Sequence, residues 1–504
     1  MDTIVPIRLH LADEEATRLL GEDLAAMLKP GDLVFLEGDL GAGKSTLARA
    51  VIRSLADDPE HEVPSPTFTI IQPYEARHPL LHVDLYRLSA PDEIDELGIS
   101  EALSSAIVLV EWAERAAGGL GEPALVIALS GEGETRDVEI TGQPQAVARL
   151  ARSLAAREFL DRSGWAQARR THLTGDASAR AYETVRLPDR PVRILMNAPR
   201  QPDGPPIRDG KPYSRIAHLA ESVTPFLAID RLLRQRGFQA PEIEAADLEE
   251  GFLLSEHLGS DGVLDPDGRP IRERYLAAAE LLAAMHGESW PASAEAAPGI
   301  VHEIPLYDRP ALHIETELLI DWYLPFARGK PATEAERTAF TAAWSSVFDR
   351  LDRGETSLVL RDYHSPNLIW RGDRAGTDRI GLIDFQDALI GPSAYDVASL
   401  AQDARVDIPA VLEEAIVATY IAARQEQGAF EEAAFRRDFA IMAAQRTTKI
   451  LGIFVRLKER DGKPGYVRHL PRLAAYLARS LAHPALAPVA ECYARLGVSV
   501  GEEG

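Results

Sequence analysis

Apolar residues recur every three or four positions after Asp13, at Ala16, Leu20, Leu24, Met27 and Leu28, a spacing that predicts an amphipathic helix ended by Pro30-Gly31. The period then shortens. Leu33 to Leu36 reads as a strand, and Thr46-Leu47-Ala48-Arg49-Ala50-Val51-Ile52 opens a second helix. Two further apolar runs, Leu80 to Val83 and Ala106 to Val110, end in the acids Asp84 and Glu111. Arg136 to Ile140 is strand-like, Gly142 breaks the pattern, and Pro144 opens a helix predicted to reach about Ser163. Tyr182 to Leu187 and Val192 to Met196 alternate as strands after a turn-rich segment, and Ala/Leu/Arg periodicity from Ala410 through Leu481 predicts a long helical region. Pro199 to Pro212, Asp265 to Pro270 and Trp290 to Gly299 are rich in Pro and Gly and read as loops.

The segment between the strand at Leu33 and the helix at Thr46 is Gly38-Asp39-Leu40-Gly41-Ala42-Gly43-Lys44-Ser45, a phosphate-binding loop in the context such a loop requires. Its glycines let backbone N–H groups wrap the phosphates of ATP, and Lys44 reaches the β- and γ-phosphates. The Ser45 hydroxyl suits Mg²⁺, and Thr46 starts the helix whose positive end faces the nucleotide. Asp84 and Glu111 stand at strand ends, where an open parallel sheet places its ligand crevice. Either could serve Mg²⁺ or polarise the attacking water, and the residues alone do not divide those roles.

A second, unrelated phosphate-transfer motif lies about 300 residues further on. Asp362 and Asn367 are separated by four residues in Arg361-Asp362-Tyr363-His364-Ser365-Pro366-Asn367. This spacing sets a base beside an acceptor hydroxyl and an amide oxygen on Mg²⁺. Asp384, after Ile380 to Ile383, supplies a second metal ligand. Upstream, Gly175-Asp176-Ala177-Ser178 precedes two strands as a nucleotide-covering loop would, making Asp176 and Ser178 candidate contacts. No Lys lies between Tyr182 and Asn197 to hold the α- and β-phosphates, and Arg193 is the nearest cation. Glu256 to Gly259 is the expected hinge that meets adenine through backbone groups.

Composition narrows the setting. The 504 residues are 46% hydrophobic and 26% charged, enough for two to four globular domains, and the net charge of −24 argues against a broad nucleic-acid footprint. A single cysteine, Cys492, excludes an intrachain disulfide and any cysteine-based zinc site. No apolar run reaches about 20 residues and the N-terminus lacks a signal-peptide pattern, so a cytoplasmic protein without a membrane span is expected.

Gly38 to Lys44, Ser65-Pro66-Thr67-Phe68, His82-Val83-Asp84-Leu85-Tyr86-Arg87 and Val110-Glu111-Trp112-Ala113-Glu114 together resemble the TsaE family, the ATPase component of the bacterial system that makes threonylcarbamoyladenosine in tRNA. The resemblance implies a small ATPase acting with TsaB- and TsaD-like partners, tRNA being reached through those partners. It also implies that Ser65 to Phe68 form a switch-like loop near the γ-phosphate, that Asp84 and Glu111 serve Mg²⁺ and hydrolysis, and that Trp112 packs beside the site. His82 is expected to be a satisfied core group. The second half resembles the aminoglycoside phosphotransferase superfamily through Asp362 to Asn367. Gly175 to Ser178, Ile194 to Pro199, Ile383 to Ala388 and Gln445 to Phe454 are most similar to its anomeric kinases of N-acetylmuramate and N-acetylglucosamine in cell-wall recycling.

The expectation is therefore an α/β P-loop domain over residues 1–156, followed by an α+β two-lobed kinase-like domain over 157–504, with lobes of about 157–259 and 260–504. Within this assignment Asp362 and Glu111 are catalytic, and Ser45, Asp84, Glu111, Asn367 and Asp384 hold metal. Other acceptors, such as an aminoglycoside, choline or homoserine, share the Asp362 chemistry, and a non-catalytic regulatory module is the contrasting possibility. The absence of a Gly/Ser-rich tether near Arg157 predicts that the halves do not swing freely.

Overall fold

In the computed structural model, which describes residues 5–88, 91–173, 180–351 and 354–498, the first apolar runs build one mixed sheet. Its elements are β1 (Ile7–Leu11), α1 (Glu14–Met27), β2 (Leu33–Glu37), α2 (Lys44–Leu55), β3 (Ile71–Tyr74), β4 (Leu80–Asp84), α3 (Ile99–Leu103), β5 (Ile107–Glu111), β6 (Leu125–Ser130) and β7 (Arg136–Gly142). The strand order is β1-β7-β6-β2-β5-β4-β3. β2, β4, β5 and β6 run parallel, and β1, β7 and β3 are added antiparallel. Because β4 and β5 are parallel and in register, Asp84 lies directly opposite Glu111. The central strands are apolar without alternation because both faces are covered. Ile107, Leu109 and Ile127 join one core with Leu47 and Ile52, while Val83, Val108 and Val110 join the other.

α4 (Pro144–Leu160) begins with Pro at its first turn, where the missing N–H costs nothing. Its buried residues serve two cores. Ala146 and Leu150 pack with the seven-stranded sheet, and Ala156, Phe159 and Leu160 pack with a second sheet. That sheet comprises β8 (Arg169–Leu173), β9 (Ala181–Arg186), β10 (Arg193–Asn197), β11 (Ile243–Asp247) and β12 (Phe252–Glu256), in the order β11-β12-β10-β9-β8. The helix ends three residues before its expected limit, in a π-turn over Asp161–Trp165 that contains Gly164 at φ +79°.

By packing, residues 1–198 with 244–256 form one compact unit, and residues 199–243 with 257–504 form another. Both sheets therefore belong to the first unit. A buried ion network ties them together. Arg170 on β8 donates to Glu183 on β9 at 2.5 and 2.9 Å and to Asp23 on α1 at 2.7 Å. Arg157 on α4 donates to Asp23 at 3.1 Å and to Glu22 at 3.1 Å. All five side chains are buried. Burial opposes charge on Arg170, but Glu183 and Asp23 hold its guanidinium above the ordinary range, and Arg170 in turn holds Glu183 below the usual carboxylate range against its own burial.

The second unit is mainly helical, with long helices over Arg272–Gly287, Ala410–Gln427 and Glu432–Glu459. Two small antiparallel ribbons, Thr356–Val359 with Leu389–Pro392 and Leu368–Trp370 with Ile380–Leu382, frame the catalytic-loop sequence. The expected loop at 290–299 is instead part of a hairpin pairing Ser293–Ala297 with Ile300–Glu303. Its small side chains hid the alternation by which Ala294 and Ala296 are buried and Glu295 is exposed. No helix among the described residues is long and apolar enough to cross a membrane.

Candidate active sites

The phosphate-binding loop leaves β2 through Gly38 at φ +133°, where a Cβ would lie 2.3 Å from the Leu129 carbonyl oxygen; only glycine fits. From β7, Arg136 clamps the loop from outside, donating to Ala42 O at 2.7 Å and Gly41 O at 3.3 Å. Lys44 is buried and donates to Gly38 O at 2.6 Å and Asp39 O at 2.9 Å, with its ammonium 3.8 Å from the centre of the Trp112 ring. Burial lowers its pKa against the pull of Glu111, Glu114, Asp84 and Asp39.

The two strand-end acids have different partners. Glu111 accepts from Ser45 Oγ at 2.9 Å and sits 2.9 Å from His82 Nε2. Asp84 accepts from Thr67 Oγ1 at 2.7 Å and from Tyr86 N at 3.0 Å, and Thr67 is 2.7 Å from Ser65 Oγ. Glu111 is thus joined to the phosphate loop, and Asp84 to the Ser65–Phe68 loop. Phe68 is 81% exposed beneath the Arg87 guanidinium. His82 is buried as expected of a core group and its Nε2 meets Glu111, but it is not fully satisfied, since its Nδ1 has no hydrogen-bond partner among the described residues. Its i, i+2 spacing from Asp84 was the available signal.

Serine hydroxyl and carboxylate oxygens are hard donors of the kind Mg²⁺ takes when most of its shell is phosphate and water. Ser45, Glu111 and Asp84 fit that ion in type and number. A dedicated all-protein metal cage is a different arrangement, and no cluster of three or more His, Cys, Asp or Glu ligands occurs among the described residues.

In the second unit Asn367 Nδ2 donates to Asp362 O at 2.9 Å, and Asn367 O accepts from Ile383 N at 3.2 Å, so the ribbon brings Asn367 and the Asp384 segment together. Asp384 follows the ribbon at φ +60°, a left-handed conformation that is uncommon for a non-glycine residue, and Gln386 Nε2 donates to its Oδ1 at 2.9 Å. Asp362 keeps 41% side-chain exposure, with His364 Nε2 3.7 Å from its carboxylate. Burial of the surrounding loop would raise its pKa, but His364, Lys449 and Arg361 hold it well below the usual carboxylate range.

Three acids that sequence reading missed suspend this loop. Asp396 accepts from Leu360 N at 2.6 Å and Arg361 N at 2.9 Å, Asp403 accepts from Ser365 N at 2.9 Å, and fully buried Glu315 binds Arg361 and Lys449. They come from helices and loops 35 to 46 residues away, with no local motif to mark them. Burial pushes Asp396 up to about 7 from 3.8, while the two N–H groups oppose that rise. Protonation removes the charge of Asp396 and makes one of its two accepting oxygens a poor acceptor, so it weakens the hold on the two backbone groups. Phosphotransferase turnover is therefore expected to fall as pH drops through about 7, with Asp396→Asn low throughout and lacking that limb. A kcat profile from about pH 5.5 to about 8.5 checks this, and a wild-type profile flat through neutrality would refute it. The stability effect has the opposite sign. Between about 4 and 7 the native chain holds this proton longer than the unfolded chain, so this group's contribution to stability declines as pH rises.

Arg193 is engaged elsewhere on its own sheet, donating to Glu244 at 2.7 Å near the Trp165 ring, and Glu244 also accepts from Trp165 Nε1. Asp176 and Ser178 lie outside the described residues.

Two family models match the chain. Threonylcarbamoyl adenosine biosynthesis protein TsaE matches residues 11–138, and the phosphotransferase enzyme family APH matches residues 169–435. A protein of Caulobacter vibrioides named N-acetylmuramate/N-acetylglucosamine kinase is 35% identical over 347 residues, covering 67% of this chain and 94% of that protein. A protein of the same name from Pseudomonas aeruginosa is 32% identical, covering 67% and 93%. The tRNA threonylcarbamoyladenosine biosynthesis protein TsaE of Rickettsia bellii is 44% identical over 105 residues, covering 21% of this chain and 72% of that protein. The chain belongs to both families, TsaE in its N-terminal region and the APH phosphotransferases beyond it. It is an enzyme combining an ATPase with a phosphotransferase, and both families use ATP.

Proposed function

We propose that residues 1–156 form an ATPase supporting threonylcarbamoyladenosine modification of tRNA, and that residues 157–504 phosphorylate the anomeric hydroxyl of N-acetylmuramate or N-acetylglucosamine. The observation that carries the second assignment is the catalytic loop, in which Asn367 is bonded to the Asp362 backbone and joined to the Asp384 segment by the ribbon. The likeness to the Caulobacter vibrioides kinase over 94% of that protein supports the choice of acceptor.

In the kinase, Asp362 holds the acceptor hydroxyl toward the γ-phosphorus. The acceptor oxygen forms the new P–O bond as the bond to the β–γ bridging oxygen breaks, ADP leaves, and the hydroxyl proton passes to the Asp362 carboxylate. With its pKa held low, Asp362 is a weak base. Its main work is orientation, as suits a loose transition state in which little proton transfer precedes P–O cleavage. Asn367 and Asp384 would hold Mg²⁺, which supplies charge neutralisation at the phosphates.

In the ATPase, Lys44 exchanges its two loop carbonyls for phosphate oxygens, and Ser45 with Asp84 and Glu111 would hold Mg²⁺. Glu111 is poised to polarise water, since Ser45 and His82 fix both its oxygens. Thr67 links Asp84 to the Ser65–Phe68 loop, which gives nucleotide state a route to an exposed surface for TsaB- and TsaD-like partners. A net charge of −24 favours reaching tRNA through those partners in a cytoplasmic setting.

Transfer of ³²P from ATP to a panel of N-acetylmuramate, N-acetylglucosamine, choline, homoserine and an aminoglycoside tests the acceptor. Lys44→Ala is expected to remove ATP hydrolysis by the N-terminal site, by about 10²-fold or more given the loss of its phosphate contacts, while labelled amino sugar still forms. No labelled amino sugar from active protein would overturn the acceptor assignment.

A further inference from the structure

Between α1, α2 and the start of β8 lies a cavity of about 350 Å³, all of whose walls belong to the first unit. Thr46, Arg49 and Arg53 line it from α2, and their spacing of three and then four residues puts them on one face of the helix that follows the phosphate loop. Arg169 lines it from β8. The cavity thus takes most of its wall from the TsaE region and one cation, Arg169, from the phosphotransferase region.

Of the three acids in the lining, Glu14 is exposed and the other two are already committed. Glu15 and Glu22 both pair with Arg18, and Glu22 also accepts from Arg157 and from Arg170 N. The arginines of α2 are not. Arg53 donates through Nε to His61 O, which leaves its terminal nitrogens available, and Arg49 makes no hydrogen bond or ion pair among the described residues. Arg169 spends one nitrogen on Asp57. Forked donors facing a hydroxyl such as that of Thr46 suit a phosphate group. The volume lies at the small-molecule end of ligand sites and admits a sugar phosphate, whereas a stretch of nucleic acid is too large.

We propose that this cavity binds a small phosphate monoester of hexose-phosphate size, held by Arg49 and Arg53 from the ATPase region and Arg169 from the phosphotransferase region. A ligand there touches the phosphate-loop helix on one side and the strand leading into the second sheet on the other. It is placed to report the supply of a phosphorylated metabolite to the ATPase.

Calorimetric titration of the full chain with N-acetylglucosamine 1-phosphate, with ADP saturating the nucleotide sites, tests the site. The choice of sugar follows the proposed kinase activity, but the titration needs no turnover, so failure of one reading does not imply failure of the other. Arg49→Gln/Arg53→Gln and, separately, Arg169→Gln are each expected to weaken one binding step at least about tenfold, as loss of charge-assisted contacts does, with ADP affinity unchanged. Inorganic phosphate is expected to bind more weakly than the sugar phosphate. Unchanged sugar-phosphate affinity in both variants would overturn the site, and equal affinity for inorganic phosphate would overturn the size of ligand assigned to it.

Discussion

Asp362→Asn is expected to lower sugar phosphorylation by about 10²–10⁴-fold, the range for removing a positioned acid–base group, while ATP hydrolysis at the N-terminal site continues unchanged. The substitution keeps size and leaves the Asp362 carbonyl to accept from Asn367, so the loop should persist. What it removes is the charge that orients the acceptor hydroxyl and receives its proton. The loss should therefore appear in kcat, with KM for ATP little altered, because Asn367 and Asp384 remain to meet the nucleotide. Initial rates at several ATP concentrations decide it. Turnover within about tenfold of wild type would remove Asp362 from the role of base.

Arg170→Met is expected to destabilise the first unit by about 3–5 kcal/mol, the usual cost of removing one partner from a buried ion network. Arg170 contacts Asp23 and Glu183 from the middle of the network, and both acids are buried, so its loss takes one of two cations from Asp23 and strands Glu183 where water does not reach it. Arg157 retains Asp23, but Glu183 has no second cation at hydrogen-bond distance among the described residues. Glu183→Leu combined with Arg170→Met should recover part of the loss, because an apolar pair leaves one fewer unpaired charge. Urea denaturation of the full-length variants measures both effects, and a cost below about 1 kcal/mol for the single change would show that the network does not hold the two sheets together.

Much of each site was legible because its backbone requirements are local. A strand, a glycine loop and a helix in succession announced the phosphate loop, and Gly38 has no room for a side chain. The five-residue step from Asp362 to Asn367 and the following ribbon announced the second motif. Strand ends ahead of Asp84 and Glu111 were visible as apolar runs, and the parallel register then placed the two acids side by side. The hairpin at 293–303 escaped because alanine carries little strand preference, and its alternation is real only once a neighbouring surface buries one face.

Partnership among buried charges was not legible. Both His82 and Ser45 reach Glu111, yet they lie 29 and 66 residues from it. Asp396, Asp403 and Glu315 hold the catalytic loop from segments that carry no motif, and Arg170 meets Asp23 across 147 residues. That the chain carries two phosphate-handling loops of different kinds was readable from local patterns, since φ constraints, helix period and strand period act over a few neighbouring residues. Which buried acids tune those loops, and the fastening of the second sheet to α1, emerged with the folded chain. An unpaired buried charge is costly, and the partner that neutralises it is supplied by whichever distant segment the fold brings there.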